Sequence, residues 1–216
     1  MKTKIAISSH VKFYEKTYAV LVPSLLSAGV PAEDIYFFIG GCGKYEQVPD
    51  ADVNVWQTDH NSIDFTGLVS VVDLNLRSDR WFLLHDTLYV GPNFYRCIQN
   101  KPSTAPTVNL SRLYSKNMGS YAQTYLDQIK PTLLSKYKNT STDPVVAHQF
   151  KTMNVDTENC FLTNEEFFTV GQPTIVADRV DFYQSNNLRS VQYYPDIDVF
   201  KVQSCVNHPG NYNMTI

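Results

Sequence analysis

Trp81-Phe-Leu-Leu84 is a run of four apolar residues, aromatic at its start, held between Asp79-Arg80 and His85-Asp86-Thr87. A run this short that does not alternate has no polar face to offer water. It predicts a strand covered on both sides, as in a parallel sheet flanked by helices. Lys4 to Ser8, Ile35 to Ile39 and Val53 to Gln57 repeat the pattern. Tyr14 to Ala28, between the first two, predicts a helix kinked or restarted at Pro23 and stopped by Gly29 and Pro31. Phe65, Leu68, Val69, Val72 and Leu76 keep helical spacing in another, which Asn61 to Gly67 opens and Asp64 could cap. Strand, helix and strand in turn predict βαβ units, hence an α/β fold with a mainly parallel central sheet flanked by helices.

His85, Asp86 and Thr87 leave the carboxyl end of a buried strand together, the edge of an open α/β sheet where ligands bind because no helix covers it. A carboxylate there, at Asp86, suits a divalent metal held against a diphosphate, since Mg and Mn prefer oxygen ligands and share their shell with phosphates. Gly91-Pro92 predicts a turn into a short helix with Pro92 at its first position. Gly40-Gly41-Cys42-Gly43 has the wrong spacing for a dinucleotide fingerprint and reads as a turn; a P-loop is also absent.

At 216 residues the chain is expected to form a single domain, with a nucleotide-binding half over 1–98 and a second half over 99–216. A net charge of −3 and a pI near 5.9, with no basic run, argue against nucleic acid and anionic membrane as partners. The apolar run after Met1 ends at Ser8-Ser9-His10, too short for a signal peptide or a membrane span, so the expectation is a soluble, cytoplasmic chain. Cys42, Cys97, Cys160 and Cys205 form no C-x-x-C pair and read as free thiols in a reducing compartment.

The second half is less patterned. Met118 to Tyr137 predicts a helix with Tyr121, Tyr125 and Ile129 on one stripe and a break at Pro131, followed by a polar loop from Asn139 to Pro144. Asn164-Glu-Glu-Phe-Phe could start a further helix, its acids favourable near the N-terminus. Arg189 precedes the stretch Tyr193-Tyr-Pro-Asp-Ile-Asp-Val-Phe-Lys201.

Three blocks, Asn61-Ser-Ile-Asp-Phe-Thr-Gly67, Leu84-His-Asp-Thr87 and Tyr193 to Lys201, together and in this order resemble small GT-A-fold glycosyltransferases. That group includes sugar transferases of chlorella viruses and related bacterial polysaccharide enzymes. The resemblance spans most of the chain. It implies a GT-A-like fold and transfer of a sugar from a nucleotide-diphosphate donor, a UDP-sugar, to a glycan hydroxyl, with Mn or Mg on the diphosphate. For a viral chain the location would be the host cytoplasm. His85-Asp86-Thr87 stands where that fold carries its D-x-D motif, with one carboxylate in place of two. Asp196-Ile-Asp198 is a literal D-x-D elsewhere, which brings Asp198 in beside Asp86 as a catalytic candidate.

The same resemblance implies His208 as a further metal ligand and places base and ribose near Ser8, Ser9 and Tyr14, with hydrogen bonds from Asn61 and Asp64. Charge on the departing diphosphate calls for a basic side chain, for which Arg189 and Lys201 are candidates. Asp178, Asp181, Glu165 and Glu166 are candidate bases. The competing readings are a sugar-phosphate nucleotidyltransferase and a non-catalytic carbohydrate-binding domain. Ser8-Ser9-His10 lacks the Gly-rich, basic first loop of the former, and most of the 14 Tyr and 12 Phe that would serve the latter read as core.

Overall fold

A computed structural model describes residues 1–100, 104–110, 118–141, 168–169, 171, 174–177 and 188–204. In chain order the elements are β1 (Thr3–His10), α1 (Tyr14–Ser27), β2 (Ile35–Gly40), β3 (Glu46–Gln47), β4 (Asn54–Gln57), α2 (Thr66–Asp73), β5 (Arg80–His85), β6 (Leu88–Val90) and α3 (Phe94–Asn100). They continue with β7 (Thr107–Asn109), β8 (Gly119–Ala122), α4 (Gln123–Tyr137), β9 (Thr174–Ala177), β10 (Leu188–Tyr194) and β11 (Val199–Ser204). Among the described residues the strands form a seven-stranded sheet, β3-β4-β2-β1-β5-β8-β7, and a four-stranded sheet, β6-β11-β10-β9. The four inner strands β4, β2, β1 and β5 are mutually parallel, and the outer pairings are antiparallel. The expected α/β fold with a mainly parallel sheet is present.

The apolar runs are continuous because both faces of the sheet are covered. Ile5, Ile7, Phe37, Phe82 and Leu84 point into one core with Leu21, Val22 and Leu25 of α1 and with Leu88, Val90 and Val199 of the second sheet. Ala6, Phe38, Trp81 and Leu83 point into the other, beneath α2 and α4. All six residues of β5 are buried.

Helix ends follow local chemistry. Gly29, at φ +85, closes α1: its N–H reaches Leu26 O and the N–H of Val30 reaches Leu25 O, with Val30 buried beyond. Asn75, at φ +54, does the same for α2, since Asn75 N–H reaches Val72 O and Leu76 N–H reaches Val71 O. Leu76, expected inside that helix, is therefore the apolar residue after its stop. Pro23 and Pro131 both lie inside continuous helices, on exposed positions where the carbonyl that each frees can be hydrated.

Two further expectations are corrected. Tyr121 is not helical: Gly119–Ala122 pairs antiparallel with β5, Trp81 opposite Tyr121, so strand pairing overrides the apparent helical stripe. Pro92 is not the first helical residue, because α3 begins at Phe94 and Leu88–Val90 intervenes as a strand of the second sheet. No helix among the described residues is long and apolar enough to cross a membrane.

Candidate functional site

The order β4-β2-β1-β5 sets the position of the site. After β1 the chain builds outward to β2 and β4, then returns through α2 to add β5 on the other side of β1. The connections diverge between β1 and β5, and such a switch point leaves a crevice beyond the strand carboxyl ends. In the register of these two strands Ser8 is opposite His85. Ser9 and Asp86 follow, and the Ser9 hydroxyl donates to Asp86 Oδ2 at 2.9 Å. Thr17, one turn into α1, brings its hydroxyl within 3.4 Å of Ser9 Oγ.

Asp64 approaches from the segment before α2. Gly67 N–H donates to Ser8 Oγ at 2.8 Å and Ser8 Oγ donates to the Asp64 carbonyl at 3.0 Å, fixing that segment to the end of β1. An added Cβ at Gly67 would lie 2.7 Å from Leu83 Cδ1 and 3.1 Å from Ser8 Oγ, so a larger residue would have to displace the Leu83 side chain. The Asp64 side chain is half-exposed and its Oδ1 is 3.8 Å from His85 Nδ1. It does not cap a helix; Ser62 and Phe65 occupy the cap positions, neither with a side-chain cap hydrogen bond.

The segment is held under strain. Ile63, a β-branched residue, has φ +50, a conformation that is an outlier for such a side chain. Asn61 Oδ1 accepts from Ile63 N–H at 3.3 Å, and Asn61 N–H donates to Asn139 O at 2.7 Å. Behind it lies His60, buried, contacting Ser62 Oγ at 2.8 Å, Tyr45 Oη at 2.9 Å and Ser70 Oγ at 3.2 Å. Burial lowers the His60 pKa to about 4, so the imidazole is neutral. Strain of this kind persists only where the surroundings over-determine it, and it concentrates at functional sites.

The second sheet supplies the cation. Asp86-Thr87 is the link by which the chain leaves β5 and enters β6, and β11 pairs with β6 so that Lys201 is opposite Leu88 and Val202 N–H donates to Thr87 O at 2.9 Å. Lys201 is therefore beside the strand end that carries Asp86, with 6% of its surface exposed. Burial lowers its pKa to about 8, against the opposing pull of Asp64, and it remains an ammonium at neutral pH. Asp86 is raised to about 7, chiefly by burial and further by the Asp64 charge, with the Ser9 hydrogen bond acting the other way. A carboxyl group that titrates near neutrality at the end of a buried strand is suited to moving a proton.

Of the residues expected from the sequence, Ser8, Ser9, Asp64, His85, Asp86 and Thr87 come together here, and Lys201 lies on the strand that pairs beside the Asp86-Thr87 link. Asn61 lies next to them as part of the strained segment. Tyr14 starts α1 and its hydroxyl reaches Glu15 Oε1 at 3.4 Å; Thr17 makes the contact with Ser9 instead. Arg189 is on β10, opposite Ser204 and Val176. Asp198 is engaged elsewhere. Its Oδ2 accepts from Asn93 N–H at 2.9 Å and its Oδ1 from Tyr193 Oη at 3.1 Å, fixing the turn before α3. Asp196 accepts from Thr169 N–H and Oγ1, so the literal D-x-D joins a hairpin to its neighbours. His208, Asp178, Asp181, Glu165 and Glu166 lie outside the described residues, as does the Asn164 segment up to residue 167.

Of the expected metal ligands, Asp86 stands at this edge and His208 lies outside the described residues. Among the described residues no three His, Cys, Asp or Glu converge as a metal-binding group. Asp86 Oδ2 accepts from Ser9, and Asp64 is the neighbouring carboxylate on the segment before α2. A Mg or Mn held against a diphosphate takes one or two carboxylates and completes its shell with water and phosphate oxygens, so Asp86 would be its protein ligand here.

Thr17, His60 and Asn139 were not legible in the sequence as parts of this region; each is an unremarkable polar residue that tertiary packing brings in. Compared with known proteins, the sequence matches no family model and no curated protein.

Proposed function

We propose that the chain is a glycosyltransferase that moves a sugar from a nucleoside-diphosphate donor, a UDP-sugar in the first instance, to a glycan hydroxyl. One observation carries the reading: a buried carboxyl group, Asp86, held by Ser9 at the crevice where the parallel sheet changes direction. In the reaction the bond from the anomeric carbon to the diphosphate oxygen breaks and its electron pair leaves with the diphosphate. The acceptor oxygen bonds to that carbon and surrenders its proton. Asp86, about half ionised at neutral pH, is matched to accept that proton. Ser9 orients the carboxylate, and Ser8 with the clamped Asp64 segment forms the wall on which nucleotide would rest.

The test is consumption of UDP-sugars, with GDP- and dTDP-sugars in parallel, followed by Asp86→Asn. Turnover that Asp86→Asn reduces by about 100-fold or more, with donor binding kept, is the expected result. A fully active Asp86→Asn removes Asp86 from the chemistry. Glycan binding without any nucleotide binding favours a non-catalytic carbohydrate-binding domain.

A further inference from the structure

We infer that His60 is a positioning residue: its buried ring is the middle of a hydrogen-bonded chain that holds segment 61–64, and with it Asp64, against the end of β1. What the segment does for a substrate, as a wall on which nucleotide rests, depends on the glycosyltransferase reading. The segment is clamped at both ends. Toward α2, Ser8 Oγ donates to the Asp64 carbonyl and accepts from Gly67 N–H. Toward β4, Asn61 N–H donates to Asn139 O at 2.7 Å and Asn139 Nδ2 donates to Asn61 O at 3.3 Å. Between the clamps Ile63 is at φ +50, where a β-branched residue stays only while its surroundings hold it.

His60 joins the second clamp to the core. Ser62 Oγ accepts from Asn139 N–H at 3.3 Å, which leaves its own proton for His60 Nδ1, 2.8 Å away. A neutral ring that accepts at Nδ1 carries its proton on Nε2. That nitrogen is 2.9 Å from Tyr45 Oη and 3.2 Å from Ser70 Oγ. Burial and the neighbouring Asp73 carboxylate raise the Tyr45 pKa, so its proton stays on and turns to Asp73 while its oxygen accepts from His60. Lys138 closes the circuit. Its Nζ bonds Asp73 at 2.8 Å and Asp59 at 3.3 Å, lies over the Tyr45 ring, and the next residue in the chain is Asn139. Burial keeps the His60 ring neutral, so this order of donors and acceptors holds at neutral pH. Apolar packing would cost less than such a circuit, whereas a fully bonded circuit fixes one geometry. The geometry fixed here is that of a segment whose own residues do not favour it.

The experiment is hydrogen–deuterium exchange of the ligand-free full chain, with calorimetry against UDP, GDP and dTDP in the presence of Mn. His60→Phe keeps a ring and removes both nitrogens; Tyr45→Phe removes only the hydroxyl at the far end of the chain. Each should speed exchange over residues 61–67 by about 10-fold or more while β1 and β5, which open only with the whole fold, change less than about threefold. Each should also weaken nucleotide binding by about 3- to 30-fold, and His60→Gln, which keeps a donor and an acceptor, should recover most of it. If His60→Phe does not fold, Tyr45→Phe decides alone. Exchange over 61–67 that is unchanged, or that rises only in step with β1 and β5, overturns the inference whether or not nucleotide binds. Faster local exchange with full nucleotide affinity overturns the positioning role. A parent chain that binds no nucleotide overturns the glycosyltransferase reading instead, and the exchange result still decides whether His60 holds the segment.

Discussion

Asp86→Asn should make the ligand-free protein more stable, and by an amount that depends on pH. The ordinary value for this carboxyl is 3.8 and burial raises it to about 7 in the folded chain. Below about pH 4 both folded and unfolded chains hold the proton, and the group contributes nothing to the difference between them. As pH rises, the unfolded chain loses its proton first. The folded state is then disfavoured by about 1.4 kcal/mol per pH unit until the folded carboxyl also ionises. About three units separate the two values, so the penalty reaches about 4 kcal/mol above pH 7. Asparagine keeps an oxygen that can accept from Ser9 Oγ and carries no charge to bury.

The assay is urea and thermal unfolding of both proteins in EDTA at pH 4.5, 6 and 8, followed by fluorescence of the buried Trp81. At pH 8 the variant should melt about 8–16 °C above the parent for a chain of this length, with the gap closing toward pH 4.5. The opposite pH slope contributed by His60 is common to both proteins and cancels in the difference. A gap of constant size at every pH, or a variant less stable at pH 8, would refute the claim that Asp86 is buried against its charge.

Three other outcomes follow from the geometry. His60, lowered to about 4, should make the protein lose up to about 3 kcal/mol as pH falls from 6.5 to 4, and His60→Gln should flatten that slope in thermal melts. Gly67→Ala introduces a Cβ 2.7 Å from Leu83 Cδ1 and 3.1 Å from Ser8 Oγ. It should lose about 1–3 kcal/mol in urea unfolding and weaken nucleotide binding by displacing Ser8. Asp198→Ala leaves Asn93 N–H and Tyr193 Oη without their acceptor and should lose about 1–3 kcal/mol. Its nucleotide affinity should remain unchanged in calorimetry, whereas a metal-ligand role would abolish that affinity.

Sequence pattern carried the first half of the molecule well. Ile5-Ala-Ile7, Ile35 to Ile39 and Trp81 to Leu84 were readable as strands because a strand buried on both faces leaves a continuous apolar run. Gly29 announced a helix end since glycine alone tolerates its conformation without penalty, while Asn75, performing the same task, left a weaker mark. Tyr121 misled because a period near 3.6 can arise by chance across a strand and the helix after it. The D-x-D at Asp196 to Asp198 misled for a related reason: a motif states which groups are present and not what they already bond to.

The sequence by itself determined that a polar cluster would emerge from a buried strand at Asp86, because the hydrophobic effect acts on local composition and places the strand before any partner is known. Only the tertiary structure decided what meets it. The strand that carries Lys201 comes beside the Asp86-Thr87 link through the pairing of β11 with β6, and Asp64 arrives through a strained segment tied to Ser8 and Asn139. Strand partnership and register depend on the packing of distant segments against one another, and no local period encodes them.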